Sequence, residues 1–223
     1  MTQTVSRPNW KKFFIQMLVG AVIGGVSAML VLRAWRSAGP LEPAQLIAIV
    51  AGLIYGLMGL MVGFGAISPR AGARVLNVED VDDLRAQRTV LALSSAACVA
   101  IGLLFLILAA VPAGRAGALF SREWAAVLVG ICLVAVIVLA MLTNRMVDEL
   151  TRHISMESAA LTMQASFIVF GSWAALAHLG FVAWIPPLAL VAGMALLQLL
   201  AIFWVSGKRG LLVPQAAPPP RPN

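Results

Sequence analysis

Hydroxyl and imidazole side chains within apolar stretches are the first candidates for chemistry in this sequence. Ser158, Thr162 and Ser166 recur at every fourth position, so on a helix their hydroxyls lie on one face. His178 follows and is the only histidine, acid or base within the apolar stretches. An ionisable group deep among apolar residues usually marks a substrate or ion pathway, although His178 is also placed to reach interfacial water. A possible polar face therefore competes with hydroxyls that simply bond to neighbouring backbone.

A second polar set lies between two apolar stretches. It consists of Asp148, Glu149, Arg152 and Glu157, and helical spacing stacks Asp148 on Arg152. The pattern is typical both of a charge network at the start of a helix and of a docking site for a partner. We keep both interpretations.

Motifs for several reaction classes are absent from the sequence. It contains no GxxxxGK[ST], GxSxG, HExxH or paired-cysteine motif. No Asp or Glu lies in the middle of an apolar stretch, where proton- or sodium-coupled carriers need one. Methionines such as Met58 and Met61 are ordinary gap-fillers between helices. We therefore expect no catalytic residue, no metal site and no cofactor, and a protein that is not an enzyme.

The elements that position these residues follow from the distribution of charge. Of 223 residues, 61% are hydrophobic and 11% are charged, whereas a soluble domain has about 25% charged residues. Four charge-free windows have 20 to 27 residues each, and a fifth has 50. Because a helix needs about 20 apolar residues to cross the hydrocarbon core, the sequence predicts an all-α membrane bundle of six spans. The spans are about 14–32, 44–67, 90–111, 124–141, 158–179 and 187–206.

Lysines and arginines predict the orientation of the bundle. With a cytoplasmic N-terminus, twelve of the sixteen basic residues lie inside and four lie outside. We expect three helical hairpins, residues 13–207, between a cytoplasmic N-tail (1–12) and a proline-rich, disordered cytoplasmic C-tail (208–223). The net charge of +7 is scattered over several loops, which favours anionic membrane lipids over nucleic acid as the partner.

Glycines spaced four apart mark faces where helices approach closely. Gly20 and Gly24 form one such pair in the first span. The second span has two more pairs, Gly52/Gly56 and Gly59/Gly63. These faces either pack the first span on the second or form an interface with another membrane protein or a second copy.

One short segment resembles a known group of proteins. Asp148-Glu149-x-x-Arg152-x-Ile154-x-x-Glu157-Ser158-Ala159 is similar to a D-E-x-x-R-x-I-x-x-E-[AS] segment in small bacterial inner-membrane proteins. The resemblance covers about a dozen residues, as counted in the sequence. It implies a bacterial inner-membrane location and a polar cluster at the cytoplasmic mouth of a helix, and it implies no activity.

Two hypotheses for function result. The first is a non-enzymatic subunit or scaffold of a membrane complex, which uses the glycine faces and the cytoplasmic loops. The second is a small transporter or channel for an uncharged or lipid-like substrate, which uses the hydroxyl face. An enzyme acting on lipid is disfavoured because the acids, bases and metal ligands for it are missing.

Overall fold

Every regular element in the described part of the chain is a helix. The computed structural model describes residues 10–36, 41–67, 88–111 and 121–211. Within these ranges there are six helices and no strand. They are α1 (Trp10–Arg36), α2 (Pro43–Ile67), α3 (Arg88–Ala110), α4 (Arg122–Met146), α5 (Glu149–His178) and α6 (Pro187–Lys208).

The lengths and composition of α2 to α6 suit a membrane. All five are long and apolar enough to cross it, with mean hydropathies between 1.4 and 3.1 over their best windows. The described part of α1 contributes a shorter apolar segment, Gly20–Val31. The predicted all-α class and the multi-pass membrane character are thus confirmed.

Several sequence predictions lie wholly or mostly outside the described residues. These are most of the N-tail at 1–12 and the part of the C-tail beyond 211.

The ends of the helices follow local rules of capping. Ser121 caps α4 by accepting a hydrogen bond from the Trp124 amide, and Pro187 begins α6 at a position where no amide donor is needed. Beyond α5, Gly180 has φ +80°, a left-handed conformation that favours glycine. It allows the Phe181 amide to bond back to the Leu176 carbonyl at 3.0 Å. The chain therefore leaves α5 sharply before α6 begins.

Helices α2 and α3 form the centre of the structure and share its most extensive contact. Helix α4 packs on the other side of α3, α6 packs on α2, and α5 packs on α6, while α1 touches α2 only lightly. The buried core contains Ala48 and Ile49 of α2, Leu104 and Phe105 of α3, and Ala192 of α6. Because many of these residues are small, the helices lie close together.

The glycines of α2 face α3. A Cβ added to Gly102 of α3 would lie 2.7 Å from the Gly56 nitrogen and 2.8 Å from the Gly52 oxygen. A Cβ added to Gly59 would lie 2.8 Å from the Ser95 carbonyl oxygen. The sequence left open whether these glycines pack the first span on the second or form an interface with another subunit. In the structure α3 presents its own small residues, Gly102 and Ser95, to glycines of α2, and α1 also contacts α2.

We expect Gly102→Ala to destabilise the protein by about 1–3 kcal/mol, since the added methyl meets backbone atoms that cannot move aside. Gly130 of α4 is a matched control, because a Cβ there would meet no heavy atom of the described residues within 4 Å outside the backbone of α4. Gly130→Ala gains up to about 1 kcal/mol of helix propensity. Thermal or denaturant unfolding in detergent measures both, and equal stability of the two variants would contradict the close α2–α3 contact.

Candidate functional site

Polar side chains at the centre of the bundle bond to backbone carbonyls of neighbouring helices. The Tyr55 hydroxyl of α2 donates to the Ala195 oxygen of α6 at 2.9 Å. Ser95 Oγ of α3 donates to the Gly59 oxygen of α2 at 2.7 Å. Both bonds replace water where none is available, so they set the relative positions of α2, α3 and α6.

Gln45 joins the start of α2 to the end of α3. Its Nε2 donates to the Ala109 oxygen at 3.0 Å, and its Oε1 accepts from the Glu42 amide at 2.9 Å. The amide is buried. Sequence analysis missed Gln45, Tyr55 and Ser95, although each is a polar side chain in an apolar stretch, and such a side chain is a signal for an interhelical bond.

The candidate polar face of α5 is buried. Ser158 is 0% exposed, and Thr162 and Ser166 are also buried. Ser158 Oγ donates to the Ser155 oxygen at 3.0 Å, and Thr162 Oγ1 donates to the Ser158 oxygen at 2.8 Å. Ser166 Oγ has no hydrogen-bond partner among the described residues. Two of the three hydroxyls are therefore engaged within their own helix.

His178 is the last residue of α5 and is exposed. The turn beyond it is held by Trp173, whose Nε1 donates to the Ala183 oxygen at 3.0 Å. In the ranges that the structure describes, no three His, Cys, Asp or Glu side chains lie together in a way that could hold a metal ion.

The start of α5 contains three members of the predicted polar cluster. Asp148 caps the helix by accepting from the Thr151 amide at 3.2 Å. Arg152 Nη1 lies 4.0 Å from Glu149 Oε2, and its Nη2 donates to the Asn144 oxygen at 3.3 Å. Because that carbonyl is in the last turn of α4, Arg152 stabilises the two-residue link between α4 and α5.

The fourth member, Glu157, pairs with a different helix. Its Oε2 accepts from Nη2 of Arg209, which caps the C-terminal end of α6. The structure therefore divides the four residues into a capped turn and an ion pair between α5 and α6. Sequence analysis missed Arg209, because its pairing with Glu157 depends on how α5 and α6 pack.

The glycine faces also divide. Gly52, Gly59 and Gly63 meet α3, and Gly56 lies against Gly102. A Cβ on Gly20, Gly24 or Gly25 of α1 would meet no other heavy atom of the described structure within 4 Å.

The fold defines the class, a multi-pass α-helical membrane protein. Comparison of the chain with known protein families, with curated proteins and with solved structures finds no match.

We expect Tyr55→Phe and Ser95→Ala each to lower the free energy of unfolding by about 0.6 kcal/mol, up to about 1.7, because each removes an interhelical hydrogen bond. Ser166→Ala serves as the control, since it removes a buried hydroxyl that has no described partner. Its free energy of unfolding in detergent should equal or exceed that of the wild type. A larger loss for Ser166→Ala than for Ser95→Ala would contradict this assignment.

We expect the first turn of α5 to loosen in acid. The Thr151 hydroxyl and amide donate to Asp148 and hold the pKa of its carboxyl below the usual value. Because the folded-state pKa is the lower one, the cap is fully present above the unfolded pKa and is lost as pH falls through the folded value.

Hydrogen exchange at the Thr151 amide measures this loss. Asp148→Asn keeps an acceptor without a titrating group, so protection should not depend on pH. Asp148→Ala should be unprotected throughout. The same pH dependence in wild type and Asp148→Asn would overturn the assignment.

Proposed function

We propose that this protein is a non-enzymatic subunit or scaffold of a membrane complex, located in a bacterial inner membrane. In this proposal α1 is a sixth span, the helices form three hairpins, and both termini are cytoplasmic. The excess of basic residues on one side supports that orientation. The resemblance of the 148–159 segment supports the location.

The glycine face of α1, which is exposed at Gly20, carries the proposal. Gly20 and Gly24 lie four apart, and among the described residues a Cβ on either one would meet no heavy atom within 4 Å outside the backbone of α1. Gly20 is exposed, whereas Gly24 is half-buried and Val31, two turns further along the same face, packs against the core. The matching glycines of α2 show what such a face does in this protein, because they bring α3 into backbone contact. A helix from another membrane protein or from a second copy fits the α1 face for the same reason.

The polar groups of the bundle also favour a structural role. Tyr55, Ser95 and Gln45 are engaged in holding helices together. Thr162 and Ser158 are buried and their hydroxyls bond within α5, so neither offers a free hydroxyl to a substrate. Transport of an uncharged or lipid-like substrate is the alternative hypothesis.

Purification in a mild detergent tests the subunit hypothesis. We expect a membrane protein, or a second copy of the chain, to accompany the wild type in fixed ratio. Gly20→Ile with Gly24→Ile should release it, because two branched side chains prevent close approach of the backbones. Gly130→Ile is the control, since Gly130 is a similarly open glycine on α4.

Two outcomes would contradict the hypothesis. The first is a wild-type protein that runs alone as a monomer. The second is a partner that both the α1 double variant and Gly130→Ile retain equally.

A further inference from the structure

A groove of about 530 Å³ runs between α5 and α6 and is open on the outer side of the bundle. Leu161 and Ala165 line it on α5, and Leu197, Ala201 and Trp204 line it on α6. The one polar residue in its wall is Thr162, whose hydroxyl is already bonded to the Ser158 oxygen. Its volume lies in the range of about 300–1,000 Å³ typical of small-ligand sites. The groove therefore suits an apolar chain.

One end of the groove is charged. On α6, the positions 197, 201, 204 and 208 follow one another at steps of four, three and four residues, so Lys208 continues the wall by one turn. On α5, Glu157 lies one turn before Leu161 and is paired with Arg209. Lys208 is exposed, and no ion pair involves it among the described residues. Among the described residues, Glu157 and Arg209 cancel each other, and Lys208 places one positive charge at the end of the groove.

The dimensions match one leaflet of a bilayer. Leu197 and Lys208 are separated by about 16 Å along the axis of α6, given a rise of 1.5 Å per residue. That length is close to half of the roughly 30 Å hydrocarbon core. Trp204 is 70% exposed and lies one turn from Lys208, at the level where indole rings prefer the interface.

The groove opens onto the lipid-facing surface of the bundle. Leu200, Phe203 and Trp204 in its wall are exposed. The acyl chains of the surrounding leaflet therefore reach the groove directly, and an acyl chain is the occupant that the bilayer itself supplies.

We propose that the groove binds an anionic glycerophospholipid, with one acyl chain along Leu161, Ala165 and Ala201 and the headgroup phosphate at Lys208. The lipid comes from the leaflet on the Lys208 side of the bilayer. It binds the protein alone and needs no partner at α1, so its binding and the subunit role succeed or fail separately.

Native mass spectrometry of the full chain in detergent tests the proposal. The protein is titrated with phosphatidylglycerol and with phosphatidylcholine of identical acyl chains. We expect one phosphatidylglycerol to be retained in preference to phosphatidylcholine. Lys208→Gln should lower the affinity for phosphatidylglycerol about fivefold, which is the effect of one basic residue near an anionic headgroup. The affinity for phosphatidylcholine should not change. Arg145→Gln, at the end of α4, removes a basic residue far from the groove and should change neither.

A second pair of variants tests the groove itself. Ala165→Phe fills the groove and should lower the affinity for both lipids about tenfold. Ala160→Phe places the same ring on an exposed position of α5 outside the groove and should leave both affinities unchanged. Equal binding to Ala165→Phe and Ala160→Phe would overturn the proposal. So would equal affinity for the two lipids, or a partner protein that displaces the lipid from the groove.

If Ala165→Phe does not fold, fluorescence quenching tests the groove without a groove-filling variant. Phosphatidylglycerol brominated on its acyl chain quenches tryptophan fluorescence by contact. Trp204→Phe should remove most of the quenching that saturates at low lipid, whereas Trp184→Phe, beyond the other end of the bundle, should not. Equal loss in the two variants would also overturn the proposal.

Discussion

The structure depends on the close approach of α2 and α3, where backbone meets backbone. In a membrane, apolar side chains gain little by leaving lipid for protein, so helices associate through dense packing and a few hydrogen bonds. Gly52, Gly59 and Gly102 lack the side chains that would hold the two helices apart. Every other helix is then placed relative to this pair, since α4 rests on α3, and α6 rests on α2 and supports α5.

The interhelical hydrogen bonds fix the register of the helices that pack around α2 and α3. Apolar packing alone tolerates a helix that slides or rotates by a few degrees, because Leu, Ile and Ala contacts are similar in many registers. The Tyr55 hydroxyl can reach the Ala195 carbonyl in only one register of α6 against α2. Ser95 and Gln45 do the same for α3 at two different depths. Three polar side chains thus select one arrangement out of many that bury the same apolar residues.

Sequence patterns predicted where the helices lie better than they predicted which helices pack together. Runs of about 20 apolar residues identify membrane helices because the bilayer sets a length, and the five long helices appear where such runs lie. Glycine spacing indicated which face of α2 packs closely. It could not indicate the partner, because Gly102 has no partner glycine four residues away and Ser95 does not look like part of a packing face. Glu157 was recognised as a polar site residue, yet its pairing with Arg209 depends on how α5 meets α6, which no local pattern encodes.

The two-residue link between α4 and α5 has a consequence for the biogenesis of the protein. These two helices are joined only by Val147 and Asp148, yet α4 rests on α3 and α5 rests on α6. A ribosome therefore completes α2, α3 and α4 as one contiguous unit before any residue of α6 exists. The Tyr55 hydroxyl therefore lacks its hydrogen-bond acceptor, the Ala195 carbonyl, until the ribosome has added 140 more residues. During that interval the α6-facing side of α2 has no partner. A translocon or chaperone that covers this side of α2 would shield the Tyr55 hydroxyl until α6 is inserted.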